Sequence, residues 1–348
     1  MRVAASIVLA LLVGAGARAA SGARSEPGTF GIFEVRIDGS DRTALLRNTR
    51  VQSVAEMSPD RRRILFIERA APPAQESRLY TAALDGRGVR LLASGSFIGA
   101  PAWSPDGRTI AFEAEDPSRC VRPLARCARG EIRLVNPDGT GLTMWVPRGI
   151  APSWSPDSQR IAFAGHYNPY FRRGVVSVAS VTDTSRIREL SSLEHQSWPD
   201  WKLRWSPQGN LVTYAADKGR RSLVRVARLN APPQRGARTL LFGDGPSWSP
   251  DGKRIAYWTR GSQWLSVVNR DGSHRRRLAR GINPVWSPDG RWIAFVEDSP
   301  RRSYQIYVIR PNGRDQRVLT NERRDTHFKI FWAPDSKRLI YAASTPPT

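Results

Sequence analysis

The sequence is poor in several residue types that mark particular functions. Its 348 residues include only two cysteines and four histidines, which excludes a disulfide-rich scaffold or a multi-cysteine zinc cluster. Lysine is scarce too, because only five of the 54 basic residues are lysine. The 31 acidic residues are outnumbered, which leaves a formal net charge of +23. Beyond the N-terminal segment no apolar stretch approaches about 18 residues, so no transmembrane helix is predicted there.

Glycine, proline and tryptophan are abundant instead. The chain has 28 glycines, 26 prolines and 12 tryptophans, and 40% of its residues are hydrophobic. So much turn chemistry argues against helical bundles and coiled coils and favours many short strands. The hydrophobic fraction is high enough for a substantial core, which excludes wholesale disorder.

The N-terminus is predicted to be a secretory signal peptide, residues 1–19. Arg2 precedes an apolar run over residues 3–13, and Ala17-Arg18-Ala19 fits a small-residue cleavage site. No cysteine stands at the cleavage point, so a lipid anchor is not expected. Residues 20–29 are predicted to be a flexible leader. We therefore expect an exported protein, periplasmic or secreted, whose mature charge is +21 after two arginines are removed from +23.

The only two cysteines are Cys120 and Cys127, with six residues between them. In an oxidising compartment this spacing predicts a local disulfide. A metal site is the weaker alternative, because no further His or Cys lies nearby in the sequence.

One motif recurs seven times: a tryptophan or its substitute, then Ser-Pro-Asp, then a basic residue and an apolar strand. The successive motifs are 46, 51, 51, 43, 38 and 46 residues apart, a period typical of propeller blades or helical arrays. Ser-Pro-Asp-Gly favours a type I turn, and apolar segments such as Ile110-Ala-Phe112 suit strands buried on both faces. The seven copies are Met57–Asp60, Trp103–Asp106, Trp154–Asp157, Trp205–Gln208, Trp248–Asp251, Trp286–Asp289 and Trp332–Asp335.

A second hairpin lies between successive motifs, turning at sequences such as Asp85-Gly86 and Asp271-Gly272. Each repeat therefore has four predicted strands. The chain starts with a lone second-type hairpin at Asp38-Gly39 and closes with a lone first-type hairpin after Trp332. We predict an all-β, seven-bladed β-propeller over residues 30–345, with four-stranded blades and with the N- and C-terminal hairpins sharing one blade.

The run Trp-Ser-Pro-Asp-Gly-x-x-Ile-Ala-Phe, with Ile306-Tyr-Val308 and Arg317-Val-Leu-Thr320, resembles the WD-like repeats of the TolB-type β-propeller family. The resemblance covers about residues 30–345. It implies a periplasmic location and a protein partner in the cell envelope. The TolB family also carries an α/β domain ahead of a six-bladed propeller, whereas this sequence leaves no room for that domain and has seven repeats.

Related propellers stand beside serine-peptidase domains, but this sequence has no Gly-x-Ser-x-Gly elbow. We therefore expect a non-catalytic module that binds a protein or glycan of the envelope, without a cofactor or metal and as a monomer. Two alternatives stay open: a propeller-based lyase or hydrolase, and an electrostatic binder of anionic envelope polymer. A specific nucleic-acid role conflicts with the signal peptide.

The propeller topology places the Ser-Pro-Asp turns and the Asp-Gly hairpins on one face, here called the short-turn face. The connections of variable length lie on the other, the long-loop face, where ligand binding is expected. Three connections there are long: residues 113–130, 165–174 and 191–201. The predicted binding rim on this face, rich in Tyr, Trp and Arg, comprises His166, Tyr167, Tyr170, Arg172, Arg173, His195, Trp198, Trp201, Arg323, Arg324 and His327. The competing interpretation is that the long loops fold back and bury their own aromatic side chains over the channel mouth.

Two competing interpretations apply to the charges. The motif aspartates could form a ring of acids, but their place in a turn that requires Asp or Asn explains them structurally. The arginines could attract anionic polymers, including through Arg61-Arg62-Arg63 on the short-turn face, or could form a solvated surface that reflects genome composition. Because arginine is scattered over every repeat, the solvated surface is the favoured interpretation.

Overall fold

The computed structural model describes ten stretches of the chain, which contain 28 β-strands and no helix. The described residues are 30–48, 53–69, 76–115, 130–168, 173–194, 203–218, 221–231, 237–299, 303–320 and 329–344. Within these stretches no helix is long and apolar enough to cross a membrane. In chain order the strands are β1 (Phe30–Arg36), β2 (Thr43–Asn48), β3 (Ser53–Met57), β4 (Arg63–Arg69), β5 (Ser77–Ala83), β6 (Arg90–Gly95), β7 (Ile98–Trp103), β8 (Ile110–Glu115), β9 (Gly130–Val135), β10 (Thr143–Val146), β11 (Gly149–Trp154), β12 (Arg160–Asn168), β13 (Arg173–Ser180), β14 (Arg188–Glu194), β15 (Arg204–Trp205), β16 (Leu211–Lys218), β17 (Arg221–Arg228), β18 (Ala237–Phe242), β19 (Asp244–Trp248), β20 (Arg254–Trp258), β21 (Trp264–Asn269), β22 (Arg276–Arg280), β23 (Ile282–Trp286), β24 (Ile293–Ser299), β25 (Ser303–Ile309), β26 (Arg317–Val318), β27 (Ile330–Trp332) and β28 (Arg338–Ser344).

The strands form seven antiparallel four-stranded sheets, the blades of a propeller. Blades 1 to 6 each use four consecutive strands, from β3–β6 to β23–β26. Blade 7 has the order β2-β1-β28-β27, so both ends of the chain contribute to it. Strand β1 pairs with β28 along its whole length, from Phe30 opposite Ser344 to Arg36 opposite Arg338. The predicted all-β ring of seven blades, closed by terminal hairpins that share one blade, is confirmed.

The first strand of each blade lies at the axis of the ring. Successive first strands contact one another, β3 with β7, β7 with β11, and so on to β23 with β27. Each is an edge strand of its own sheet, so its unpaired side faces the central channel. In blades 2, 3, 5 and 6 this strand has a bulge at Ala100, Ala151, Gly245 or Asn283, each with positive φ and each followed by proline. Proline has no N–H to donate to a neighbouring strand. It is tolerated at such a bulge because the ladder is already interrupted there, so no hydrogen bond is lost.

The hydrophobic core lies between blades. Leu65 and Leu79 of blade 1 pack with Trp103, Ile110 and Phe112 of blade 2, and all five side chains are buried. Six further clusters join the remaining neighbours around the ring, including blade 7 with blade 1. Each buried Leu, Ile or Phe contributes about 1.5–3 kcal/mol to folding. The middle strands are apolar on both faces because each blade has a neighbour on both sides.

The motif aspartates hold the turns that precede the second strands. In blade 1 the Ser58 hydroxyl donates to Asp60 Oδ1 at 2.5 Å, and the Arg62 N–H donates to the same oxygen at 3.1 Å. The Ser58 hydroxyl bond lowers the pKa of Asp60, because it stabilises the ionised form. The same pair of bonds recurs in blades 2, 3, 5 and 6. This confirms the structural interpretation of these residues over a ring of functional acids.

The motif tryptophans tie neighbouring first strands together. The indole N–H groups of Trp154, Trp205 and Trp332 donate to a carbonyl of the preceding blade at 2.9–3.0 Å, on Ala102, Ser153 and Val285 respectively. In the three other motif tryptophans, Trp103, Trp248 and Trp286, the buried indole N–H has no partner among the described residues. The repeats are therefore equivalent in packing and unequal in hydrogen bonding.

Arginines also fasten blades to one another. Arg63, Arg160 and Arg254 each lie 4.9–5.2 Å over the motif tryptophan of the following blade. On the outer strands, Arg90 donates to the Asp138 carbonyl of the next blade at 3.0 Å. Arg188 makes an equivalent contact between blades 3 and 4, and Arg238 does so between blades 4 and 5. The interpretation of the arginines as only a solvated surface is thus corrected in part: several join one blade to the next.

Candidate binding site in the central channel

The channel wall has one position where the seven repeats can be compared directly: the residue just before the motif tryptophan. Most repeats have a small or apolar residue here, whereas blade 1 has Glu56 and blade 4 has Arg204. Both occupy the same level of the ring, since Met57 pairs with Ile64 and Trp205 with Val212 at the start of each second strand. The seven residues at this level are Glu56, Ala102, Ser153, Arg204, Ser247, Val285 and Phe331. Two opposite charges thus enter a ring of uncharged side chains.

Glu56 is bound to the channel edge of the neighbouring blade. Its Oε2 accepts a hydrogen bond of 2.6 Å from the backbone N–H of Trp103 in β7. Glu56 as a whole residue is half-buried. Burial nevertheless raises the pKa of Glu56 to about 7, against the lowering effects of the Trp103 N–H and of the cations Lys329, Arg204 and Arg61. Near neutral pH this carboxyl is therefore poised between its two protonation states.

Arg204 stands on β15, three blades away around the ring. Its residue surface is exposed to solvent, yet desolvation by the surrounding protein lowers the pKa of its guanidinium, and Glu56 partly opposes that effect. Its guanidinium donates to the Leu203 carbonyl at 3.2 Å. No ion pair joins Arg204 to a carboxylate of the described part of the chain.

Arg61 occupies a strained position at the mouth of the same channel on the short-turn face. Its φ is 59°, in the left-handed region, and the other six turns have only glycine or serine there. The six counterparts are Gly107, Ser158, Gly209, Gly252, Gly290 and Ser336. A large residue in this conformation costs about 1–2 kcal/mol. Burial also lowers the pKa of Arg61, while Glu56 raises it. The stability of the turn explains neither the backbone strain at Arg61 nor the burial of its guanidinium.

Lys329 completes the group. It lies two residues before Phe331, hence one strand repeat, about 6.6 Å, towards the long-loop face from the Glu56 level. Its charge acts on Glu56, as do those of Arg61 and Arg204. Three cations thus lie within electrostatic reach of the Glu56 carboxyl group. We call Glu56, Arg61, Arg204 and Lys329 the channel cluster.

A second carboxyl group of altered pKa lies between blades 2 and 3. Burial raises the pKa of Glu113 to about 7, an N–H of Ala151 at the bulge of β11 opposes the rise, and Glu115 adds to it. The side chain fits where glycines leave room, since a Cβ on Gly130 would lie 3.3 Å from Glu113 Oε1. Glu113 therefore belongs to a seam between blades and not to the channel cluster.

The predicted rim is only partly within the described residues. His166 and Tyr167 lie in β12, and Arg173 begins β13, where it pairs with Asn168. The connection predicted over residues 165–174 is thus mostly strand, because β12 continues to Asn168 and β13 begins at Arg173. Arg173 also pairs with Glu194 at the end of β14, so the backbone at both predicted connections of blade 3 meets at one end of the sheet.

The other predicted rim residues lie outside the described residues: Tyr170, Arg172, His195, Trp198, Trp201, Arg323, Arg324 and His327. Cys120 and Cys127 also lie outside them, so the disulfide stays a prediction. Within the described residues no group of three or more His, Cys, Asp or Glu side chains could hold a metal ion.

The sequence analysis did not identify Glu56, Arg204 or Lys329 as site residues, and Arg61 entered only as part of a basic run. The signal was present for three of the four. Aligning the seven repeats shows Arg61 in a Gly or Ser position and Glu56 and Arg204 in a mostly small or apolar one. Lys329 has no such signal, because the chain before Trp332 departs from the repeat pattern.

The TolB beta propeller domain is the family whose model matches this chain, over residues 182–346. Two solved TolB structures are similar to it. TolB from Acinetobacter baumannii is 19% identical with a TM-score of 0.52, covering 83% of this chain and 65% of that one. The putative TolB from Agrobacterium tumefaciens is 16% identical with a TM-score of 0.54, covering 92% of this chain and 99% of that one. This chain therefore spans just under two thirds of the first TolB protein.

An oligogalacturonate lyase solved in complex with manganese is similar as well. It is 13% identical with a TM-score of 0.64, and the match covers 92% of this chain and 98% of the lyase. At such identities the likeness establishes the propeller fold and carries no activity with it. The fold is thus shared with TolB proteins and with an enzyme.

Proposed function

We propose that this chain, whose residues 182–346 match the TolB beta propeller domain and whose fold is similar to that of two TolB structures, is an exported, non-catalytic binding or scaffold module of the cell envelope. Its partner would be an envelope protein or glycan. The predicted signal peptide supports export, and the two TolB structures support an envelope setting. The chain would act in the periplasm or outside the cell.

The observation that carries the proposal is the channel cluster. The motif aspartates and the inter-blade arginines described above are bound to structural partners. Arg61 and Arg204, in contrast, are partly desolvated at the channel and strain or desolvation makes them costly to the fold. Charged residues that cost stability at a concave site are typical of ligand binding. A closed ring also holds such residues rigidly, which favours binding over a moving catalytic lid.

The test is cross-linked affinity capture from envelope fractions of the source organism by the purified chain from residue 20. Capture should be saturable, should be displaced by unlabelled protein, and should survive moderate salt. An unrelated protein of equal net charge serves as the control. Equal capture by that control, or capture that disappears steeply with added salt, would instead indicate an electrostatic binder of anionic polymer.

An enzyme is the second candidate, favoured by the similarity to the oligogalacturonate lyase. Its residues would come from the predicted rim, with His166 and His195 as acid and base. If a substrate screen reveals turnover, changing both histidines to alanine should abolish it. Turnover that survives this double change would remove the two histidines from the mechanism, and turnover of any kind would contradict the non-catalytic proposal.

A further inference from the structure

The channel cluster is an unusual use of charge. Within the described residues Arg61 and Arg204 form no ion pair, although Glu56 lies within electrostatic reach of both. A cation removed from water without a full partner costs free energy, and a ligand that supplies the opposite charge recovers that cost. Glu56 cannot neutralise both arginines, since one carboxyl group faces two guanidinium groups.

The other blades carry no charge at this level of the ring. First strands contact one another from blade to blade. The residues equivalent to Glu56 and Arg204 in the other repeats are Ala102, Ser153, Ser247, Val285 and Phe331, all of them uncharged.

We infer that the central channel is a binding site for a single oxyanion group, held between Arg61 on the short-turn face and Arg204 in the first strand of blade 4. The planar guanidinium fork matches the oxygens of a carboxylate, phosphate or sulfate group. The Glu56 carboxyl, fixed by the Trp103 N–H, sets the net charge of the site. The ligand class is therefore a molecule with a terminal carboxylate or phosphate that reaches into the channel from the short-turn face.

This inference deepens the proposed function by naming the chemistry of the group that is bound, and it can be tested separately. Isothermal titration calorimetry with sulfate and with acetate, at constant ionic strength set with sodium chloride, measures the site directly. Saturable binding with one anion per chain is expected. Sulfate stands for phosphate groups and acetate for carboxylates, so the tighter probe identifies the source. An anion site without any envelope partner would leave this inference standing and the proposed function refuted.

The variants are chosen for matched backbone conformations. Arg61→Ser introduces the residue that blades 3 and 7 carry at this position, with φ of 59° and 56°, so it should fold. Arg61→Ser and Arg204→Gln should each weaken sulfate binding about tenfold, which corresponds to about 1.4 kcal/mol. Arg62→Ser, at an exposed arginine of the same turn, is the control and should change affinity less than about twofold.

The pH dependence provides an independent readout, because sulfate itself does not titrate near neutrality. As the pH rises through about 7, Glu56 ionises beside Arg61, Arg204 and Lys329, and sulfate affinity should fall. Glu56→Gln should keep the Trp103 contact and remove this dependence. No saturable binding of either anion would overturn the inference. An equal loss in Arg62→Ser and Arg204→Gln would also overturn it, since that pattern indicates nonspecific surface attraction.

Discussion

Replacing Glu113 with glutamine tests whether this seam carboxyl is protonated in the folded chain. Burial raises its pKa from 4.5 to about 7. Between these two values the folded chain holds a proton that the unfolded chain has lost, so stability falls as the pH rises from about 4.5 to about 7. A shift of about 2.5 units at about 1.36 kcal/mol per unit gives about 3 kcal/mol as the upper limit. Glutamine is neutral at every pH and can still accept the Ala151 N–H.

The assay is thermal unfolding at about pH 5 and about pH 8. For a ring of this length, about 2.1 cal/mol/K per residue makes 1 kcal/mol worth roughly 1.5 °C in Tm. The Glu113→Gln variant should match the parent at about pH 5 and exceed it by up to about 5 °C at about pH 8. Glu189→Gln, at an exposed position in β14, is the control and should shift both values equally. A parent and a Glu113→Gln variant with the same pH dependence would refute the argument.

Two further predictions concern the repeat motif. Trp205→Phe should cost about 1–2 kcal/mol more than Trp286→Phe in urea denaturation, because both rings have an arginine 4.9–5.2 Å away but only Trp205 donates an indole hydrogen bond, to Ser153. Equal costs would mean that this bond contributes nothing. In the same urea denaturation assay, Asp251→Ala should lower the unfolding free energy by about 1–2 kcal/mol, because the turn loses its hydrogen-bond acceptor. Asp251→Asn should restore most of that stability. An alanine variant as stable as the parent would contradict the structural role of the aspartate.

The sequence predicted the ring because the information for it is local and repeated. A Ser-Pro-Asp turn such as Ser58–Arg61 closes through contacts within five residues, and it does so seven times. Blade count, strand number and the shared blade followed from spacing alone. The ends of the strands were less predictable, as β12 shows by continuing to Asn168 through what the sequence suggested was a loop.

Contacts between blades were not predictable in the same way. Arg90 and the Asp138 carbonyl are 48 residues apart, and nothing local distinguishes that arginine from a solvated one. The channel cluster was unpredictable for the same reason. Glu56 and Arg204 are far apart in the sequence and come within electrostatic reach of each other only because blades 1 and 4 lie around one axis. Their charges stand out only against the other repeats, once the ring is known.

The composite blade has a consequence for when this protein can fold. Strand β1 pairs with β28, and the first of its partners, Ser344, is separated from Phe30 by almost the entire described chain. At about 5–20 residues per second, synthesis of that stretch takes roughly 15–65 s, during which the N-terminal strands have no partner from blade 7. The ring therefore closes only after the last strand is made.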